Sequence, residues 1–232
     1  MSVLVWSLEW SVALRRRRLF AFNALIPLLL VGPIAFSPAP AQHAAAVYTV
    51  LFVIFGTFGS CIPFIRDGES GLLARFTMSG ITARSLLAER VAAGVALDTV
   101  QLSPSLVVIA LASGNPAQFG SVLWTLVLSL LVANLIGVWA AALARSMAEG
   151  ALFAAVSSLL LLHAAGSFRT PDTGTLGAHL ETLSPFRLLR EALLGVTGGG
   201  FLQPLLVVLG VAGASLIAGR WIVMASGRAA HG

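Results

Sequence analysis

Long apolar stretches alternate with short polar segments along the chain. Six of these stretches contain the roughly 20 mostly apolar residues that a helix needs to cross the hydrocarbon core of a bilayer. They cover residues 19–37, 44–65, 91–113, 121–144, 150–168 and 203–225. The pattern predicts an all-α membrane protein with six transmembrane helices, organised as a single domain over residues 1–232.

The composition excludes the other broad classes of protein. Apolar residues make up 58% of the chain and charged residues 10%, and the mean hydropathy is +0.95. An ordinary soluble domain has about 25% charged residues, so this chain could not cover the surface of a soluble globule. Disordered chains are rich in charge and poor in apolar side chains, so disorder is excluded as well.

The arginines, the cysteine and the histidines limit the reactions and ligand sites that this chain can support. All 14 basic residues are arginine, so the chain has no lysine for a P-loop or a Schiff base. If the protein uses ATP and Mg²⁺, we expect another chain to bind them, and we expect this chain to be no enzyme and to hold no cofactor. The one cysteine, Cys61, and the four scattered histidines predict neither a disulfide nor a metal site.

The arginines also predict an orientation, because arginine collects in cytoplasmic segments next to membrane spans. With the amino terminus inside, 11 of the 14 arginines are cytoplasmic: Arg15, Arg16, Arg17, Arg18, Arg66, Arg75, Arg84, Arg90, Arg145, Arg220 and Arg228. This placement accounts for the net charge of +5, so we expect no nucleic-acid partner. The exclusive use of arginine suggests a GC-rich bacterial source. We therefore expect a multi-pass protein of the bacterial plasma (inner) membrane, with both termini cytoplasmic.

The first apolar stretch has a second interpretation. Arginines, an apolar run and Ala39-Pro40-Ala41 together are similar to a cleaved signal peptide. The apolar run of about 18 residues is longer than the 7–15 that are usual in such a signal. We therefore expect it to be retained as the first span.

Two segments on the cytoplasmic side are predicted to form helices outside the spans. In residues 2–14, Trp6 and Trp10 precede the arginine cluster, which favours a helix lying in the membrane interface. The loop 66–90 contains a short amphipathic helix with Leu72, Leu73 and Phe76 on one face. In that loop Gly80 is expected to end this helix, and Thr82 is expected to cap the helix of the third span.

The segment 169–200 lies on the outer side. Ser184, Pro185 and Gly195 have the positions expected of the N-cap, the first residue and the C-terminal cap of a helix of about 10 residues. Such a helix spans ~15 Å, about half of the hydrocarbon thickness, and cannot cross it. We expect a re-entrant or interfacial hairpin here.

Three polar residues inside predicted spans are candidates for the transport pathway: Asp98, Gln101 and Asn134. An acid within a span is energetically costly and is a functional candidate by default. A structural hydrogen bond between helices is the alternative for each of them, and both interpretations stay open on the sequence alone.

The order of these parts resembles the membrane (permease) subunit of type-two ABC exporters. Arg66-Asp67-Gly68-Glu69-Ser70-Gly71-Leu72-Leu73-Ala74-Arg75 and Gly80-Ile81-Thr82-Ala83-Arg84 are similar to the family's loop between the second and third spans. Leu183-Ser184-Pro185-Phe186 is similar to its outer segment. The resemblance implies a cytoplasmic coupling helix between spans 2 and 3 and an outer re-entrant helical hairpin before span 6.

The resemblance also implies a function. The chain would form half of a translocation pathway, pair with a second, identical or different permease chain, and take its energy from two copies of an ABC ATPase. The residues then assigned to ATPase coupling are Arg66, Asp67, Glu69, Gly71, Leu72, Arg75 and Phe76. The residues assigned to the outer gate are Pro185, Phe186 and Leu189.

The low charge of the spans favours an apolar or amphipathic substrate, such as a drug, a lipid or a heme-like molecule, and membrane lipid is an expected neighbour. Two other functions stay open. One is an ion-coupled secondary transporter that uses Asp98, and the other is a membrane assembly subunit that transports nothing.

Overall fold

The computed structural model describes residues 3–115, 118–168, 174–196 and 201–228, and every regular element in these ranges is an α-helix. In chain order the helices are α1 (Val3–Arg15), α2 (Arg17–Ala35), α3 (Ala41–Glu69), α4 (Leu72–Met78), α5 (Ala83–Ser113), α6 (Gln118–Leu143), α7 (Met147–Ala164), α8 (Leu176–Leu183), α9 (Pro185–Leu193), α10 (Leu202–Ile217) and α11 (Gly219–Arg228). The all-helical prediction is confirmed for this part of the chain.

Five of the predicted spans correspond to one continuous apolar helix each: α2, α3, α5, α6 and α7. The sixth, predicted over 203–225, is instead divided into α10 and α11, which are bent by 62° relative to each other. Gly219 lies at the bend and packs against α5, where an added Cβ would be 3.5 Å from the Leu87 side chain. Beyond the bend, Ile222 and Val223 are buried in the core. The described residues thus contain five spans, or six when the bent pair counts as one.

The segment 66–90 is mostly helical rather than a loop. α3 continues to Glu69 and α5 begins at Ala83, so only short links flank α4. Both links turn through a glycine in the left-handed region, Gly71 with φ of 70° and Gly80 with φ of 87°, a conformation that favours glycine. Thr82 caps α5 by accepting a hydrogen bond from the Ser85 backbone N–H at 3.2 Å. The predicted helix end at Gly80 and the predicted cap at Thr82 are confirmed.

The centre of the fold is α6, which packs against α3, α5, α7 and α9. Glycines allow the helices to approach closely. A Cβ at Gly137 of α6 would collide with the Thr57 carbonyl oxygen of α3, and a Cβ at Gly56 of α3 would lie 3.0 Å from that of Ala133. Close packing of this kind, through small residues, is the usual basis of association between membrane helices.

The amino-terminal segment forms α1, in agreement with the helix predicted there. It packs on α5 and α2, with Val5 fully buried. The rings of Trp6 and Trp10 lie 6.3 Å apart. α1 is therefore attached to the bundle along one side rather than separate from it.

The described part of the outer segment contains α8 and α9, whereas residues 169–173 and 197–200 lie outside the described ranges. Pro185 is the first residue of α9, and Gly195 follows its end with φ of 71°, both as predicted. Ser184 stands at the N-cap, but its hydroxyl makes no capping hydrogen bond.

Candidate functional site

The short helix α4 packs one face on the hydrophobic core and exposes the other face on the surface of the chain. Leu73 and Phe76 are 2% and 8% exposed and belong to the main hydrophobic cluster. Ala74, Arg75 and Thr77 are exposed. The predicted amphipathic helix is thus present, but its apolar face packs on this chain, and a partner protein can reach only the other face.

The residues predicted for ATPase coupling surround α4 and differ in exposure. They comprise exposed Arg66, Glu69 and Arg75, half-buried Gly71 and Leu72, and buried Asp67 and Phe76. The exposed residues can touch a partner directly. The buried ones can act only by holding α4 and the end of α3 in place.

A buried ion cluster joins three helices next to α4. Arg90 of α5 forms an ion pair with Asp67 of α3, with 2.5 Å between Nη2 and Oδ2, and a second ion pair with Glu9 of α1. The Arg90, Asp67 and Glu9 side chains are 9%, 8% and 18% exposed. Asp67 Oδ1 also lies 3.5 Å from Nε of the exposed Arg66. This cluster attaches α1 to α5 directly and, through Arg90, to the end of α3.

A groove of about 940 Å³ runs between α4, the link that follows it and α11. Its walls are formed by Ala74, Thr77, Ile81, Thr82, Ala83, Arg84, Arg220, Val223 and Met224. Arg84 and Arg220 are exposed there, as is Arg75 on α4, and no acid of the described residues forms a salt bridge with any of the three. The surface beside α4 is therefore apolar in its lining and positive in charge.

The three pathway candidates lie close together in the interior of the bundle. Asn134 of α6 donates a hydrogen bond to Asp98 Oδ2 of α5 at 2.9 Å and accepts one from the Ser60 hydroxyl of α3. Asp98, Gln101 and Asn134 are 6%, 7% and 0% exposed. A Cβ at Gly94, one turn before Asp98, would lie 2.6 Å from Asn134 Oδ1, so glycine is needed there for the amide to fit. Asp98 and Asn134 are joined by a direct interhelical hydrogen bond, while Gln101 lies one turn along α5 from Asp98.

The residues predicted for the outer gate lie on α9, which packs against α6. Phe186 and Leu189 are 1% and 0% exposed. Ser129 of α6 donates to the Pro185 carbonyl oxygen at 3.3 Å. Gln118, at the start of α6, donates to the last two carbonyl oxygens of α9 at 2.6 and 3.0 Å. Both ends of α9 are thus fastened to α6.

Arg190 connects α9 to its other neighbours. Its Nη1 donates to the Gly166 carbonyl oxygen after α7 at 2.5 Å, and its Nη2 donates to Glu181 Oε1 of α8 at 2.6 Å. A second pair, Arg187 and Glu191, lies within α9 with 2.7 Å between Nε and Oε1. The short outer helices are therefore held by charge-assisted bonds, which are stronger than neutral ones.

Sequence reasoning missed the contacts that Glu9, Ser60, Arg90 and Arg190 make. Arg90 entered the sequence argument only as a marker of orientation. The one available hint was Glu9, a lone acid among the apolar residues of 2–14. A charge at such a position predicts a partner, but the sequence did not show which one.

A comparison with protein families agrees with this architecture. The family model described as ABC-2 type transporter matches residues 3–197, which is most of the chain. No curated protein sequence matches it significantly. The family consists of membrane components that partner with an ABC ATPase, and the five to six apolar helices agree with such a component. The chain therefore belongs to the ABC-2 type transporter family and is a multi-pass membrane permease.

Proposed function

We propose that this chain is the permease subunit of an ATP-driven exporter and forms half of its translocation pathway. A second permease chain, identical or different, completes the pathway, and two copies of a separate ABC ATPase bind ATP and Mg²⁺. The assembly resides in a bacterial inner membrane, with α4 and both termini on the cytoplasmic side. The arginine distribution along the sequence supports this orientation.

The observation that carries the proposal is the form of α4. It is a seven-residue helix that turns at a left-handed glycine on each side and packs its inner face on the core. Its outer face, with Arg75, adjoins the positively charged groove that contains Arg84 and Arg220. A small helix with one face packed on the core and the other face exposed is suited to contact an ATPase. A movement of the ATPase would then displace α4 and, with it, α3 and α5.

In this proposal the transport cycle is alternating access. ATP binding closes the ATPase dimer, α4 moves with it, and α3 and α5 carry the motion into the bundle. The hairpin of α8 and α9 is re-entrant and closes the outer end, with Pro185, Phe186 and Leu189 as gate residues. The packing of α9 on α6 supports this role, because motion of α6 reaches the hairpin directly.

The first test is the identity of the partner. The chain is tagged at its carboxyl terminus, extracted from its native host in mild detergent, and analysed by mass spectrometry for proteins that co-purify. A stoichiometric partner with a nucleotide-binding P-loop is the expected result. A chain that purifies alone, under conditions that preserve other membrane complexes, contradicts the proposal.

The second test is a charge reversal at the coupling surface. Glu69 is exposed at the end of α3, two residues before Gly71. We expect Glu69→Arg to abolish ATP-driven transport while membrane insertion remains intact, and Arg18→Glu, an exposed charge reversal on α2, to leave transport in place. Normal transport by Glu69→Arg would contradict the coupling assignment.

The ion-coupled alternative rests on one observation, the buried acid Asp98. A secondary transporter works alone in proteoliposomes when an ion gradient is imposed, whereas the proposed exporter needs its ATPase and ATP. Uptake driven by a gradient without the partner would favour the alternative. A chain that assembles with an ATPase and supports no transport under either condition would favour an assembly subunit.

A further inference from the structure

A crevice of about 480 Å³ enters the bundle between α2, α3 and α5. Its mouth contains exposed apolar side chains such as Leu19 and Ile54, and its inner end contains Ser60, Asp98 and Gln101, which are all under 9% exposed. Pockets that take drug-sized molecules have volumes of about 300–1,000 Å³, with mostly apolar walls and a few polar groups. The crevice has this size and this arrangement.

The inner end presents hydrogen-bonding groups that the chain itself leaves unused. Asp98 Oδ2 accepts from Asn134, but within the described residues Oδ1 accepts no hydrogen bond. The carboxylate packs closely beside Gly59, where an added Cβ would lie 3.1 Å from Oδ1 and 3.3 Å from Oδ2. The Gln101 side chain, one helical turn further along α5, makes no hydrogen bond within the described residues either. Asn23 of α2 also lines the crevice.

The charged groups that line the crevice differ between its two ends in whether they have a partner of opposite charge. At the end of the crevice next to the ion cluster, Arg90 is paired with Glu9, and Arg66 lies beside Asp67. At the inner end Asp98 has a neutral hydrogen-bond partner but, within the described residues, no cation. A buried carboxylate without a cation is costly, and a positively charged ligand would remove that cost.

We propose that the crevice binds an amphipathic organic cation, with the positive group at Asp98 Oδ1 and Gln101 and the apolar part along the walls of α2 and α3. The proposal rests on the permease function proposed above and narrows its substrate class. An anion is not favoured, because both arginines that line the crevice already have acidic neighbours within it or beside it, and its inner end presents an acceptor.

The test measures binding rather than transport. The full-length chain in detergent micelles, without ATPase or ATP, is titrated with tetraphenylphosphonium in equilibrium dialysis, and empty micelles give the unspecific background. Tetraphenylborate, an anion of the same shape, tests the sign of the charge. We expect saturable binding of the cation and none of the anion.

Two variants locate the site. Asp98→Asn keeps an acceptor for Asn134 and removes the charge, so the affinity for tetraphenylphosphonium is expected to fall about tenfold or more. Gly59→Ala keeps the charge but places a methyl group beside Oδ1, and we expect it to weaken binding as well. The matched controls are Glu149→Gln, an acid outside the lining of the crevice, and Gly32→Ala, a helical glycine with open space around it. Both controls are expected to bind as the unmodified chain does.

Unchanged binding by Asp98→Asn, or a chain that binds neither ion or both equally, overturns the assignment. Because the assay contains no ATPase, such a result leaves the exporter proposal standing if the ATPase co-purifies. Conversely, a chain that binds the cation at Asp98 but has no ATPase partner overturns the exporter proposal and retains the site.

Discussion

The buried ion cluster offers a sharp test of how the bundle is held together at the end that carries α4. Arg90→Met removes the cation and keeps most of the side-chain volume. It leaves Asp67 and Glu9 without their partner at a site where Asp67 is 8% exposed and Glu9 18% exposed. Glu9→Gln is milder, because Arg90 still has Asp67 at 2.5 Å.

The expected magnitudes follow from this geometry. Removing one partner from a buried ion pair costs about 3–5 kcal/mol, because the remaining charge is left uncompensated. For a chain of this length, 1 kcal/mol corresponds to roughly 2–4 °C in Tm, so Arg90→Met should lower Tm by about 6–20 °C. Glu9→Gln loses one interaction of a partly exposed acid, which is worth about 1 kcal/mol.

The assay is thermal unfolding of the detergent-solubilised chain, followed by size-exclusion chromatography. The triple variant Glu9→Met, Asp67→Leu, Arg90→Met is the matched control, because replacing a whole buried ion cluster by apolar groups is often neutral. We expect it to recover most of the Tm lost by Arg90→Met. If Arg90→Met unfolds at the temperature of the unmodified chain, or if Glu9→Gln is equally damaging, the inference that one arginine holds three helices is wrong.

Two further predictions concern packing and the outer hairpin. Gly137→Ala should destabilise the chain by about 1–3 kcal/mol in the same thermal assay, because the added methyl group collides with the Thr57 carbonyl oxygen. The control is Gly120→Ala, which has open space around it and should unfold near the temperature of the unmodified chain. Arg190→Gln removes the charge-assisted hydrogen bonds to Gly166 and Glu181. Hydrogen exchange of the backbone amides of α8 should therefore become about tenfold faster, which corresponds to ~1.4 kcal/mol. Exchange of the amides of α5 should stay the same. Unchanged exchange in α8 would show that Arg190 does not hold the hairpin.

The helices could be predicted from sequence because each signal is local. An apolar stretch of membrane length, a glycine at the end of a helix, and Thr82 or Pro185 at its start act within a few residues of themselves. These signals identified five spans, the break at Gly80 and the start of α9. They did not show the bend inside the sixth predicted span, because α11 packs against α3, α5 and α6 after Gly219, and the sequence does not display such contacts.

The candidate site was less predictable because its key contacts join distant positions. Glu9 and Arg90 are far apart in sequence, as are Ser60 and Asn134, and all four lie on helices whose relative rotation is fixed only by packing. Sequence reasoning identified Asp98 and Asn134 as polar residues inside spans, but not that they bond to each other. It treated Arg90 as part of a loop because the limit of an apolar stretch does not show where a helix begins.

The ion cluster and the form of α4 together constrain how α3, α4 and α5 can move relative to one another. Asp67 lies near the end of α3 and Arg90 lies one to two turns after the start of α5, so their ion pair holds together the two helices that α4 connects. Separating α3 from α5 by a displacement of α4 would break this buried pair, at a cost of several kcal/mol. A displacement that moves both helices together would leave it intact. The lower-energy response is therefore a joint movement of α3, α4 and α5, with α1 carried along through Glu9. In the exporter proposed above, disruption of the cluster should consequently uncouple ATP hydrolysis from transport before it prevents the ATPase from binding.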